Sequence, residues 1–366
     1  MSRKGKNNGE TRVVTTLEFT IVMVVLLVLL LLSILTSITF GNADISVKEV
    51  YSVLANEILH LKGFENYSQG SIHDVVWIIR FPRVILAIAI GIGLSVCGVV
   101  MQAVVKNPLA DPYVLGISSG ASMGATLAIL FGVGSGIFGG IFGSSFVGVM
   151  AFIGAMVTSF GVLFISNIGG TSNAGKLILS GMAVSAVCSA FTNFATYIAH
   201  NQNATLSITF WTMGSLASAD WDDVLIILAL MIAGTFVFWS QYRNLNLMLL
   251  GDETAVVLGT DLSKLRNKYL ILSSLLIAVA VYSAGTIGFV GLVIPHAVRM
   301  FYGTDHKRLI PLCALVGAIF LIWADVACRI ILQNAELPIG ILISMIGAPC
   351  FIYLMASRSY GFGGER

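Results

Sequence analysis

Residues 19–40 form a run of 22 residues without a single charge. About 20 mostly apolar residues are needed for a helix to cross about 30 Å of hydrocarbon, so this run is long enough to span a bilayer. Comparable runs follow at roughly 84–105, 113–132, 146–167, 177–199, 222–240, 269–285, 287–302, 309–328 and 338–357, the eighth being short and glycine-rich. Ten such runs predict an all-α polytopic membrane protein with about ten transmembrane helices, residues 1–366 forming one transmembrane domain. Composition points the same way. Only 10% of the residues are charged, against about 25% in an ordinary soluble domain, too few to tile a soluble surface.

Arg3, Lys4, Lys6 and Arg12 precede the first run, as in a signal peptide. A signal core covers only about 7–15 residues and is followed by a small-residue cleavage site, so the run reads as a retained first helix. Placing the N-terminus inside puts Lys48, Lys62, Arg80, Arg83 and Arg329 outside and leaves the other fifteen of the 20 Lys and Arg residues inside. This positive-inside bias predicts that both termini are cytoplasmic. Trp77, Trp221, Trp239 and Trp323 fall near run ends, where interfacial anchors belong. A net charge of +2 gives no reason to expect nucleic acid as a partner, and five cysteines without a CxxC pair imply neither a disulfide framework nor a metal site.

Three connections are long enough to matter. The extracytoplasmic segment 41–82 carries Val47, Val50, Leu54, Ile58 and Leu61 at helical spacing, and 200–221 is polar with two aromatic residues. Inside lies the cytoplasmic loop 241–268. In it, Asp252 is suited to an N-cap, Glu253 to the positive end of the helix dipole and Gly259 to a C-terminal stop, while Thr260 or Asp261 can cap a second short helix. Two short helices with a sharp bend would expose Ala255, Val256, Val257 and Leu258. They either lie flat on lipid or form a knob that docks into a partner protein.

An ion-coupled carrier usually needs ionisable groups near the bilayer midplane. Apart from Asp222 and Asp223 at the first two positions of one run, the only acid predicted inside a run is Asp325, four residues before Arg329 and near the outer end, where an i, i+4 ion pair is the plainer reading. The energy for any transport must then come from elsewhere. Residues Gly170 to Lys176 match seven positions of a nucleotide-binding P-loop, but Leu177 replaces the hydroxyl that would hold Mg²⁺ and no strand precedes it. Gly116, Ser118 and Gly120 fit the GxSxG pattern of serine hydrolases, with His296 as a conceivable base. Yet Gly116, Gly120 and Gly124 continue as Ala128 and Gly132, a small residue every fourth position, which suits close helix packing better than catalysis.

Several motifs in one order resemble the permease subunit of type II ABC importers, the group that takes up iron–siderophore chelates, haem and vitamin B12. They are Arg80–Arg83, Gln102 with Asn107–Pro112, Leu115–Ala121, Gly251–Ala255 with Leu258 and Gly259, Gly288–Leu292 with Pro295, His296 and Arg299, Asp325 with Arg329, Glu336–Gly340, and Gly347–Pro349. The similarity covers nearly the whole chain after the first helix, departing from the family around 62–75 and 132–143. It implies a non-enzymatic dimer subunit, homodimeric or heterodimeric, working with two copies of an ABC ATPase subunit and an extracytoplasmic substrate-binding protein, without cofactor or metal of its own. By resemblance, Gly251, Asp252, Glu253, Ala255, Val256, Leu258 and Gly259 would couple to the ATPase. Arg80, Arg83 and Arg329 would dock the binding protein. Asn107, Pro108, Thr171 and Ser172 would lie near an inner gate.

Overall fold

The computed structural model describes residues 15–41, 43–133, 135–136, 145–168, 174–257, 262–333 and 335–356, and among these all regular structure is helical. The helices that coincide with the ten apolar runs are α1 (Thr16–Thr39), α3 (Phe81–Val105), α4 (Ile117–Phe131), α5 (Phe146–Asn167), α6 (Ala174–Ala199), α8 (Trp221–Ser240), α11 (Leu262–Ala284), α12 (Val290–Tyr302), α13 (His306–Ile330) and α14 (Ile339–Ala356). Between them lie α2 (Val47–Glu57), α7 (Gln202–Met213), α9 (Tyr242–Leu250) and α10 (Asp252–Val257). Seven of the described helices are long and apolar enough to cross a membrane unaided; α4, α12 and α14 are shorter.

Helix α3 is the hub. It is entered without a break from Ser71–His73 and a π-helical Asp74–Arg80 segment, and it packs against α8, α11, α12 and α13. In lipid, apolar helices gain little from leaving a medium as apolar as themselves, so small residues that let backbones approach closely decide which helices associate. Here Gly91 of α3 meets Gly317 of α13, and Gly98 meets Gly291 of α12. Between these contacts the Ser95 hydroxyl donates to the Cys313 carbonyl across the α3–α13 seam (2.9 Å). Helix α1 lies at the periphery, with only Ser33, Ser37 and Ile38 buried.

The small-residue stripe on α4 does what its spacing predicts at two of its three glycines. A Cβ on Gly120 would meet Thr158 and the Gly154 carbonyl of α5, and one on Gly124 would meet the Met150 carbonyl. Gly116 differs. It precedes α4 with φ +72°, and the nearest atom to its Cβ position is the Ser185 Oγ at 3.4 Å, so its glycine serves a left-handed turn and not helix contact.

Helix α2 opens on a capping box: the Ser46 hydroxyl accepts from the Glu49 N–H (3.3 Å) and the Glu49 carboxylate from the Ser46 N–H (2.9 Å). Its stripe is narrower than the spacing suggests. Val50, Val53 and Leu54 are buried, whereas Val47 in the first turn is exposed, as are Ile58 and Leu61, which lie past the end of the helix at Glu57. The polar segment 200–221 contains a helix that its composition hides, α7, capped by the Asn201 side chain accepting from the Ala204 N–H (3.1 Å).

The connection from α3 to α4 is the largest departure from the expected spans. Lys106 ends α3 in a left-handed conformation (φ 55°), and the chain then folds back instead of starting a new helix. The Pro112 ring and the Leu94 carbonyl both lie within 2.9 Å of the Cβ position of Gly291, which also abuts Gly98. Pro112 therefore sits level with the middle of α3. The run predicted to span from residue 113 is α-helical only from Ile117, and a short 3₁₀ turn, Pro112–Leu115, precedes it. Such backbone is tolerated at membrane depth when it is enclosed by protein, as here. A second non-helical stretch, 285–289, leads into α12 and ends at Phe289, which adopts a positive φ of 63°.

Candidate functional site

At the outer end, four charged side chains from three parts of the chain form one cluster. Arg83 of α3 donates through Nε to Asp325 Oδ1 (2.7 Å) and through Nη1 to Glu336 Oε2 (2.8 Å). Arg329 places Nε 3.1 Å from Asp325 Oδ2, the i, i+4 pair predicted from the sequence. Its other nitrogens donate to the carbonyls of Phe40 (2.8 Å) and Ser37 (3.3 Å). Arg80 donates to the carbonyls of Ile38 (3.1 Å), Thr39 (3.3 Å) and Ala43 (3.0 Å). The last carbonyls of a helix have no partner within it, and basic side chains are natural donors to them. Arg80 and Arg329 thus fasten the end of α1 to α3 and α13, and Trp323 adds a bond from its indole N–H to the Ser33 hydroxyl (3.0 Å). All three arginines are about 4% exposed, so the residues expected to face a binding protein are committed to acceptors inside the chain. Glu336 is the open member, its side chain 45% exposed.

An open cavity of about 970 Å³ is bounded by the re-entrant connection, the 285–289 stretch, the end of α7 and α14. Its walls carry Leu109, Val114, Phe289 and Met345 together with the hydroxyls of Tyr113, Ser118, Thr212, Thr286 and Ser344. Asp111 is the one charged residue among the lining. Asp325 is thus joined by a second acid inside the bundle: by the order of the runs Asp111 falls in the connection at the inner ends of the second and third, and the folding back of that connection carries it inward. Its Oδ1 accepts from the Tyr113 N–H (2.8 Å) and caps the 3₁₀ turn, and the Tyr113 hydroxyl accepts from the Ile287 N–H (3.4 Å). Asp111 and Tyr113 thereby tie the two non-helical stretches together. Ser118 lies in the cavity wall, and among the described residues no hydrogen bond joins it to His296. Deeper toward the cytoplasm, Arg299 donates to the Gln102 side-chain carbonyl, and Gln102 Nε2 donates to the Gly291 carbonyl (3.3 Å).

Of the four residues expected near an inner gate, Asn107 and Pro108 form the turn below this cavity. The Asn107 side chain accepts from the Leu109 N–H (2.9 Å), and its main-chain carbonyl accepts from the Ala110 N–H (3.1 Å). Thr171 and Ser172 lie outside the described residues, whereas Ala174–Lys176 of the P-loop-like segment form the start of α6.

The arm at residues 241–268 differs in detail from its expectation. Helix α9 ends at Gly251 (φ 105°), and α10 starts at Asp252 itself, so Asp252 is the first helical residue and not a preceding cap. Val257 projects with 86% exposure, whereas Ala255, expected on the surface, is fully buried. The second limb is no separate short helix: it is the cytoplasmic start of α11, which begins at Leu262 and runs on into the bundle. Leu258 and Gly259 lie outside the described residues, as do the side chains of Asp252, Glu253 and Val256.

Comparison with known proteins gives this architecture its place. The chain is 37% identical over 296 residues to a haemin transport system permease of Yersinia pestis, covering 80% of this chain and 87% of the relative. It is 37% identical over 286 residues to the cobalamin import system permease of Halobacterium salinarum, covering 78% and 74% respectively. A solved inward-facing structure of a metal-chelate type ABC transporter superposes with a TM-score of 0.76 at 30% identity, covering 92% of this chain and 99% of that one. With residues 29–357 matching the model of the FecCD transport family, the chain belongs to that family and is the membrane permease of an ABC importer, whose ATP hydrolysis takes place on a separate subunit.

Proposed function

We propose that this permease moves an iron(III)–siderophore-type chelate into the cytoplasm of a bacterial cell, as one half of a homodimer in the plasma membrane with both termini cytoplasmic. The observation that carries the reading is the cavity of about 970 Å³, whose walls offer hydroxyls and apolar surface with one acid. Pockets of about 300–1,000 Å³ suit molecules of drug size and above. A ferric chelate brings its own metal ligands, so it needs from the wall only shape and weak hydrogen bonds, and sparse charge lets it leave as readily as it enters. The solved metal-chelate type transporter supports this choice. In a strain lacking this gene, uptake of ⁵⁵Fe-labelled siderophores is expected to be restored by the plasmid-borne gene. Restoration of haem or cobalamin uptake alone would replace the chelate with that cargo.

Coupling is proposed to run through the arm at residues 241–268, the segment Gly251–Gly259 docking on two ATPase subunits. Asn107, Pro108, Thr171 and Ser172 are proposed to lie at the inner gate. The binding protein is proposed to dock at the outer arginine cluster. Because Arg80, Arg83 and Arg329 are buried, its carboxylates reach Arg83 by taking the place of Glu336, the exposed acid on Nη1. Exchange of one carboxylate for another preserves the bidentate preference of the guanidinium. Glu336→Gln, which weakens the internal competitor, is then expected to tighten binding-protein affinity, with the gain shrinking as salt rises. Equal affinity for both proteins at every ionic strength would remove this docking mode.

A further inference from the structure

Helix α13 runs from His306 at the cytoplasmic face to Ile330 at the outer face, 25 residues or about 37 Å at 1.5 Å per residue. Its outer end is fastened by Asp325 and Arg329 to Arg83 and to the end of α1. Its inner end is gripped just as specifically, by two side chains of the corner between α8 and α9. Asn246 of α9 uses all of its amide. Its Nδ2 donates to Asp305 Oδ1 (2.8 Å), and its Oδ1 accepts from the His306 N–H (2.9 Å) and from His306 Nδ1 (2.6 Å). Asp305 is the N-cap of α13, its carboxylate also accepting from the Lys307 N–H (3.1 Å).

The second grip depends on a proline. In an α-helix the N–H of residue 311 would bond to the carbonyl of residue 307, but Pro311 has no N–H. The Lys307 carbonyl is left for another donor, and the Trp239 indole N–H takes it (2.9 Å). A proline one turn inside α13 thus creates the acceptor that ties it to α8. His306 is 2% exposed, and Leu245 and Met248 of α9 are fully buried, so this corner packs as one body with the start of α13. From Leu250 the same α9 leads through Gly251 directly into α10.

We propose that Trp239 and Asn246 form a clamp through which the cytoplasmic arm and α13 move together, making them positioning residues for signal passage between the ATPase contact and the outer cluster. The inference rests on the reading of the arm as the ATPase contact. Between its ends α13 is held to α3 by the Gly91–Gly317 approach and the Ser95–Cys313 bond, a tightly packed seam along which it shifts as a unit instead of bending.

The test uses the assembled transporter in proteoliposomes, permease with its ATPase subunits, and cargo-free binding protein as the probe applied from outside. Trp239→Phe keeps the ring and removes only the donor; Asn246→Leu keeps the volume and removes three hydrogen bonds. Basal ATP hydrolysis is expected to stay at the wild-type level in both, while stimulation by the binding protein falls about fivefold in the first and about tenfold or more in the second, as expected from the loss of one and several hydrogen bonds. Pro311→Ala supplies a second route that does not depend on either variant folding. The restored N–H competes with Trp239 for the Lys307 carbonyl and weakens the indole bond, so stimulation falls although the helix becomes more regular and thermal stability holds or rises. A part that is merely structural would show the opposite, unchanged stimulation with a better helix. Stimulation retained in Trp239→Phe and Pro311→Ala overturns the clamp. Loss of basal hydrolysis with the complex intact would instead place the corner in the ATPase contact, and a wild-type complex with no stimulation would remove the underlying reading.

Discussion

Asp325→Ala should cost the purified permease about 3–5 kcal/mol, the range for removing one partner of a buried charge pair. Asp325 is 1% exposed and lies between two guanidiniums, Arg83 Nε at 2.7 Å and Arg329 Nε at 3.1 Å. Alanine leaves both cations about 4% exposed, with no carboxylate between them and without water to replace it. Glu336 cannot compensate, since it already holds Arg83 Nη1 and its side chain is 45% exposed. Because Arg329 also carries the α1 carbonyls of Ser37 and Phe40, the loss spreads to the packing of α1 on α13. Thermal unfolding in detergent, followed by tryptophan fluorescence, is expected to show a midpoint lower by about 4–7 °C, from an unfolding entropy of about 2.1 cal/mol/K per residue over 366 residues. Glu336→Gln serves as the control, because a half-exposed pair contributes at most about 1 kcal/mol. Equal midpoints for wild type and Asp325→Ala would show that the cluster is not what fastens the outer face.

The contrast between these two acids marks where sequence reading reaches its limit. The Asp325–Arg329 pair was legible because it is local: two residues four apart on one helix turn must face one another. Arg83 joining them from 242 positions away was not, and neither was the use of Arg80 and Arg329 to satisfy the end of α1, since the acceptors are main-chain carbonyls that leave no mark in composition. The spans themselves were legible because about 20 apolar residues can do little else in a bilayer. The re-entrant turn escaped for the converse reason. Asn107 and Pro108 announce that α3 stops, but no residue type announces that the chain turns back into the protein instead of crossing again, so Asp111 lies deeper than the order of the runs implies. Helix α7 was hidden because its threonines and Ser207 bond to carbonyls one turn back, as Thr205 does to Asn201 and Thr209 to Thr205, a helical use of residues more common in turns. In the arm, helical spacing marks Ala255 as a surface residue, but tertiary packing buries it.

A second substitution tests the hub from the apolar side. Gly98 of α3 faces Gly291 of α12, and a Cβ at position 98 would overlap the Gly291 carbonyl oxygen and come within 2.6 Å of its Cα. Every clashing atom is main chain, so no rotamer change relieves the contact and the two helices must separate. The energetic penalty then exceeds simple overpacking, about 1–3 kcal/mol, because separation also strips contacts from Gln102, whose amide donates to the same Gly291 carbonyl, and from Arg299, which rests on Gln102. The short helix α12 also packs on α13, so the displacement reaches a second helix of the bundle. Helix α12 is reached through the 285–289 stretch, and its first turn is braced by the Pro112 ring. Gly98→Val is therefore expected to insert into the membrane yet fail to yield a monodisperse, ATPase-binding permease on size exclusion. Val99→Gly at the next position, which opens space on the buried hub without any clash, is expected to lose stability while still assembling. If Gly98→Val assembled and bound its ATPase as the wild type does, close approach of these two backbones could not be what seats α12 against the hub.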